Sequence, residues 1–347
     1  MTLQKLIGIE LPVIQAPMAG VQASALAIAV SNAGGLGSLP CAMLSPEAVR
    51  WELAAIRAAT SKPYNANFFS HENPGADAAR ESAWRAALAP FYGEYGIDPA
   101  GIAAGPGRAP FGPEAADILD EFRPAVVSFH FGLPPPALLA RAKACGAKVF
   151  SSATTVDEAR WLEDHGADVV IAQGLEAGGH RGMFLSDDLT TQVGTFALLP
   201  QVLRAVKLPV VAAGGIADAK GVAAALALGA AGVQVGTSFL LCPEATTSAV
   251  HRAALKGEGA RHTALTNIFT GRPARGIVNR FVREVGPMSA AAPAFPLAGA
   301  AVAPLRVSAE KAGSAEFSPL WSGQNATGCR EIPAAELTRQ LAGFTSR

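Results

Sequence analysis

The sharpest chemistry-bearing motif is Gln173-Gly-Leu-Glu-Ala-Gly-Gly-His180-Arg-Gly182. A histidine set among Gly178, Gly179 and Gly182 has little side-chain cover, so a ligand can reach its imidazole. An imidazole that titrates near neutrality serves either as a base or as a hydrogen-bond donor. Gln173 stands at the start of the loop, where its amide could meet a bound ring, and Glu176 and Arg181 read as residues that hold the loop. A second histidine closes Val126-Val-Ser-Phe-His130. It is a candidate for the substrate side, with a satisfied structural role as the even alternative. Asn67 alternates with Asn65 on one face of a short run, so both point the same way. His71 and His165 carry weaker signals.

Two glycine-bearing turns form a second constellation: Pro209-Val-Val-Ala-Ala-Gly214-Gly215-Ile216 and Val233-Gln234-Val235-Gly236-Thr237. Each follows an apolar run, and Asp218 opens a helix after the first. Backbone amides at such turns converge on one point and suit a phosphate; the plain alternative is two ordinary tight turns. Gly105-Pro-Gly107 lacks the spacing and the strand–helix context of a dinucleotide fingerprint. No Ser/His/Asp order and no metal-ligand spacing stands out.

The elements that must position these residues are announced by a weak repeat. Gly146-Ala147, Gly166-Ala167 and Gly229-Ala230 each end an apparent helix and precede a β-branched run. Eight strands are expected: 13–16, 36–39, 65–68, 125–129, 148–151, 169–172, 210–213 and 232–235. Helix followed closely by strand, eight times, defines an α/β fold of the (β/α)8 TIM-barrel kind. Its active face lies at the carboxyl ends of the strands, where His71, His130, the Gln173–Gly182 loop and the two glycine turns fall. Residues 1–270 are expected to form the barrel, with a loop insertion or lid at about 92–123, which is rich in Gly and Pro. Residues 271–347 lose the repeat and are expected to form a small, mainly helical appendage over the barrel mouth.

Composition narrows the partners. Half of the 347 residues are hydrophobic, 16% are charged, and 28 basic residues balance 28 acidic ones. Such a chain has no field to attract nucleic acid or an anionic membrane. Cys41, Cys145, Cys242 and Cys329 are too scattered for a disulfide framework or a zinc site, which fits a reducing compartment. The uncharged stretches 11–46 and 221–243 are broken by glycine and polar residues, so neither reads as a membrane span. Pro12, Gln15 and Pro17 make the amino terminus a poor signal peptide, and a cytoplasmic location is expected.

Taken together, several segments resemble the class I nitronate monooxygenases, formerly called 2-nitropropane dioxygenases. They are Gln15–Gly20, Ser31–Gly37, Val127–Gly132, Gln173–Gly182, Ala212–Ile216 and Gln234–Thr237. Gly271-Arg-Pro-Ala-Arg-Gly276, Asn279-Arg280 and Trp321-Ser-Gly-Gln324 extend the likeness. The resemblance implies non-covalent FMN, held by Met18, Asn67, Gln173, Gly178, Gly214, Gly215 and Gln234 to Thr237, Val235 included. It makes His180 the catalytic residue, and it implies oxidation of alkyl nitronates by dioxygen to carbonyl compounds and nitrite. In one departure, the family's tyrosines and lysine after the Arg-Gly motif are missing. The stretch here reads Ala294-Phe295-Pro-Leu-Ala-Gly, leaving Phe295 beside His130 as the expected substrate contacts and the substrate range open. Two rival readings remain open: an NAD(P)H-dependent FMN reductase of quinones or enoyl thioesters, and a flavin-binding protein without turnover.

Overall fold

Short apolar runs, alternately β-branched and small, are suited to strands covered on both faces by helices, and the chain builds such a sheet. The computed structural model describes residues 2–75, 77–102 and 108–344. Its eight parallel strands are Val13–Gln15, Gly37–Pro40, Tyr64–Phe69, Val126–His130, Lys148–Ala153, Val169–Gln173, Val210–Ala213 and Gly232–Val235. The first strand pairs with the last, Val13 opposite Val233. An isolated bridge from Ile14 to Leu36 joins the first to the second, so the sheet closes on itself. All eight expected strands are present, their ends within two residues of the expected ones and those of Val210–Ala213 and Gly232–Val235 coinciding.

Alternation along the strands sorts the barrel into layers. Ile14, Val126, Phe150, Ile171 and Val211 pack with Leu3 and Ile7 of the first helix, Leu3–Ile7. This apolar floor leaves the opposite, carboxyl-terminal end as the accessible one. Next along the same strands comes a polar layer, in which Asn65 Nδ2 donates to Ser38 Oγ (3.0 Å) and Ser128 Oγ (2.9 Å). Outward-facing residues such as Val170, Ala212, Val233 and Val235 meet the surrounding helices.

The structure divides the chain differently from the expected 1–270 and 271–347. Helix Ala78–Tyr95, inserted after the third strand, packs against helix Gly299–Lys311 far along the chain. Trp84 Nε1 donates to the Ala298 carbonyl (3.1 Å), and the Tyr92 hydroxyl donates to the Ala301 carbonyl (2.8 Å). One small lobe is therefore built from two distant segments. The last helix, Ala334–Leu341, leaves that lobe and returns to the barrel wall, burying Ala334, Leu337 and Leu341. Its apolar residues fall on one helical face, so they find the barrel's gap rather than the mouth.

The expected lid at 92–123 also needs correction. Tyr92 is buried in a helix, and Pro113–Phe122 is a barrel helix with Ala116, Ile118, Leu119 and Phe122 buried. Proline in its first turn starts that helix rather than breaking it. Gly105-Pro-Gly107 lies outside the described residues. No helix among the described residues is long and apolar enough to cross a membrane.

Candidate active site

The carboxyl-terminal mouth of the barrel opens on a cavity with about 1320 Å³ of empty space, its open mouth included. It is lined by Met18, Asn67, His130, Gln173, Gly178, His180, Gly214, Gly215, Gln234, Gly236 and Thr237. Two expected contacts are elsewhere. Val235 points out of the barrel into the helix-facing core, because its neighbour Gln234 takes the inward position on the strand. Its carbonyl is also occupied, accepting from Ala16 N–H at 2.8 Å. Phe295 packs behind the lining, edge-on to His180 with ring centres 5.4 Å apart.

One wall is made largely of main chain. After the seventh and eighth strands, the backbone N–H groups of Gly215 and Gly236 meet no acceptor among the described residues. Gln234 Oε1 is buried there without a partner. The loop below is fixed by Glu176, whose carboxylate accepts from Thr195 N–H (2.8 Å) and Thr195 Oγ (2.8 Å). The chain near the carboxyl end clamps the same wall. Gly323 N–H donates to Thr237 Oγ1 (2.9 Å), Gln324 N–H to the Glu176 carbonyl (2.9 Å), and Asn325 Nδ2 to the Gly215 carbonyl (3.0 Å). Free amides and an orphaned amide oxygen beside one cavity fit a phosphorylated, ring-bearing cofactor.

The other wall is made of side chains. Gly179–His180 forms a two-residue strand against Ala274–Ile277, which in turn pairs with Thr263–Thr266. That small sheet holds the His180 backbone over the mouth. Gln173 fastens the same loop from below. Its Nε2 donates to the His180 carbonyl (2.9 Å), and its Oε1 accepts from Gly182 N–H (2.7 Å). His130 adds a second tie. Its Nε2 lies 3.1 Å from the same carbonyl, which can only accept, so Nε2 carries the proton and Nδ1 faces Ser152 Oγ at 3.1 Å. Burial pushes His130 down to about 4, so it stays neutral. Both its nitrogens are occupied, and the ring ties the His180 loop while lining the cavity. Arg181, fully buried, donates to the Gln173 and Gly174 carbonyls and to Gln192 Oε1.

His180 differs from His130 in having a nitrogen to spare. Its Nε2 lies 2.9 Å from Thr270 Oγ1. The Thr270 hydroxyl donates onward to the Arg272 carbonyl (3.4 Å), so the threonine oxygen accepts from Nε2–H and Nδ1 keeps its lone pair. Desolvation holds the imidazole well below its usual pKa, and Arg108, His130, Arg272 and His71 press the same way. Around the ring stand Phe69, Phe131, Phe295 and Trp321, at 5.4 to 6.2 Å between centres. Phe295 reaches it because residue 271 is glycine. With φ of +90°, a Cβ there would lie 2.2 Å from the Pro293 carbonyl oxygen and 2.6 Å from Phe295 N.

Arg108, Thr270 and Trp321 were not among the expected site residues. Arg108 follows a Gly/Pro-rich run, and Thr270 and Trp321 lie beyond the last strand, where no repeat marks them. Their only signals were positional: Thr270 stands directly before Gly271-Arg-Pro, and Trp321 opens the segment Trp321-Ser-Gly-Gln324.

A parallel barrel with a phosphate-type wall facing a neutral, desolvated histidine defines a class, the flavin-dependent barrel oxidoreductases. Within that class the nitronate monooxygenase family profile matches residues 1–343. A nitronate monooxygenase from Pseudomonas aeruginosa is 46% identical over 345 residues, 97% of each chain. The structure of a nitroalkane oxidase from Streptomyces ansochromogenes superposes with a TM-score of 0.89 at 40% identity, covering 98% of this chain and 96% of that one. FabK from Thermotoga maritima follows at 0.74 and 29%, covering 99% and 95%. The chain belongs to the nitronate monooxygenase family.

Proposed function

We propose that this chain is an FMN-dependent nitronate monooxygenase, converting alkyl nitronates and dioxygen to carbonyl compounds and nitrite. The observation that carries this reading is His180: a neutral imidazole with Nε2 tied to Thr270 and Nδ1 unpaired at the cavity. FMN is the flavin this reading assigns, with its phosphate at the Gly214-Gly215 and Gly236-Thr237 turns. When bound, it supplies the electron-accepting ring. The protein's own contribution is to bind, orient and deprotonate.

A nitronate is already a carbanion equivalent and needs no proton removed. A neutral nitroalkane carries its acidic proton on carbon, and a base must take it. A low imidazole pKa keeps Nδ1 available for that step at neutral pH, while the Thr270 contact fixes the ring's tautomer. The aromatic cluster excludes water and strengthens each electrostatic contact inside. The four thiols, none of them paired, support a cytoplasmic setting for this chemistry.

The test is oxygen uptake and nitrite release by the purified holoprotein with ethylnitronate in the absence of NADH. Nitrite formed in proportion to nitronate consumed is the expected result. No nitrite, together with rapid anaerobic bleaching of the flavin by NADH, would hand the site to the reductase reading.

A further inference from the structure

The arginines around the site are not alike. Arg181, Arg275 and Arg252 direct their donors to backbone carbonyls, and Arg272 donates to the Met183 carbonyl while lying 4.1 Å above the Phe131 ring. Arg108 shares the aromatic contact but donates to no carbonyl among the described residues. Its guanidinium lines the main cavity, sits 5.3 Å from the centre of the Phe295 ring, and makes no hydrogen bond or ion pair with any described residue. Glu81, which lines an adjoining cavity together with Arg108, is not within ion-pair distance of it. The residues that precede it, Ala103-Ala-Gly-Pro-Gly107, carry no carboxylate. A mostly desolvated cation with no counter-charge is unfavourable unless a ligand supplies one.

We propose that Arg108 is the cation that receives the anionic oxygens of the nitronate, and so sets the preference for anionic substrates over neutral nitroalkanes. The inference rests on the function proposed above. A planar guanidinium offers two parallel N–H donors, which match the paired oxygens of a nitronate or any planar oxyanion. His180 cannot supply this charge, since its surroundings keep it neutral. The backbone of Arg108 is itself anchored, its carbonyl accepting from His71 Nε2 at 2.9 Å. Phe295 flanks the guanidinium. The positive charge reaches the mouth from the loop that follows helix Ala78–Tyr95.

Nitrate, an inert planar oxyanion, separates binding from turnover. In the wild-type holoprotein it is expected to perturb the flavin absorbance and to compete with ethylnitronate, with an affinity constant from pH 6.5 to 9. Arg108→Met should weaken nitrate binding by about 10–100-fold and raise the KM for ethylnitronate by a similar factor. The KM for neutral nitroethane should change less than about threefold, with flavin content and melting temperature kept. Arg108→Lys should recover part of the loss. Nitrate affinity that survives Arg108→Met would overturn the assignment, as would affinity that fades above pH 6.5, which would mark an imidazolium as the cation. Arg108-dependent nitrate binding in a protein that turns over no nitronate would uphold this inference while sinking the proposed activity.

Discussion

The two walls of the cavity are built from different materials. The wall formed by Gly214-Gly215 and Gly236-Thr237 presents main-chain amides beside the Gln234 amide, and is braced by ties such as Glu176–Thr195. The wall formed around His180 presents side chains brought from the third, fourth and sixth strands, the small sheet and the lobe. The first can hold a charge with no titrating group, while the second gathers His71, His130, His180 and Arg108 within one aromatic cluster. Fixed dipoles suit a cofactor that stays. A tunable, desolvated imidazole suits a proton that must move. Each wall should therefore fail separately, and in its own way.

The largest separation is expected from His180→Asn. Loss of a positioned base lowers turnover by about 10²–10⁴-fold for nitroethane, while ethylnitronate, already deprotonated, should lose far less. Flavin content should be unchanged, because the opposite wall is untouched. Equal losses on both substrates would show that His180 acts on the anion rather than on the carbon-bound proton.

Gly215→Val attacks the main-chain wall. Residue 215 has φ of +72°, a left-handed conformation that a β-branched residue resists, and its Cβ would sit 3.4 Å from Glu176 Cβ. Flavin should be retained about 10–100-fold less tightly, read as the flavin-to-protein ratio after dilution, with the pH dependence of the remaining activity unaltered. Full occupancy would argue that the phosphate lies elsewhere.

A subtler break is His130→Asn. It removes the ring that donates to the His180 carbonyl, one hydrogen bond worth about 0.5–1.5 kcal/mol. Turnover of nitroethane should fall about 3–10-fold in kcat with KM and flavin content held. A loss as deep as that of His180→Asn would make His130 a participant rather than a support.

The contrast also explains which features are legible in the sequence. The main-chain wall follows from local sequence, since a strand, a glycine turn and a helix are neighbours along the chain. Val235 falls outside the cavity because strand alternation sends every second residue of the run Gln234 to Thr237 outward. The side-chain wall depends on contacts between segments far apart along the chain. Thr270 meets His180 only because Ala274–Ile277 pairs with Gly179–His180, and Phe295 only because Gly271 lets its segment pass. The helix at Pro113–Phe122 was hidden for another reason. Its apolar spacing sits inside a window whose glycine and proline content suggested a loop.

The smallest expected effect is on stability, and it belongs to the histidines of the side-chain wall together with His251, which lies on helix Ala249–Lys256 and also lines the cavity. His130 and His251 are pushed down to about 4 by burial, His71 is lowered, and His180 lies well below its usual value. In the unfolded chain each titrates near 6.5. Between about pH 6.5 and pH 4 the unfolded state therefore binds more protons than the folded one, so stability falls as the pH drops through that window. Above pH 7 these groups are neutral in both states and contribute no slope. The melting temperature should be flat from pH 9 to 7 and then fall by about 3–6 °C by pH 5, taking about 2 kcal/mol each for His130 and His251 as the cost. His251→Asn should remove part of that slope, since Nε2 of His251 is held by the Trp321 carbonyl at 3.1 Å and its burial is what depresses it. Flavin should stay bound through the pH 5 measurement, because the amides that hold it do not titrate. If flavin is released before the melting temperature moves, the main-chain wall is the pH-sensitive one, and the division drawn between the two walls is wrong.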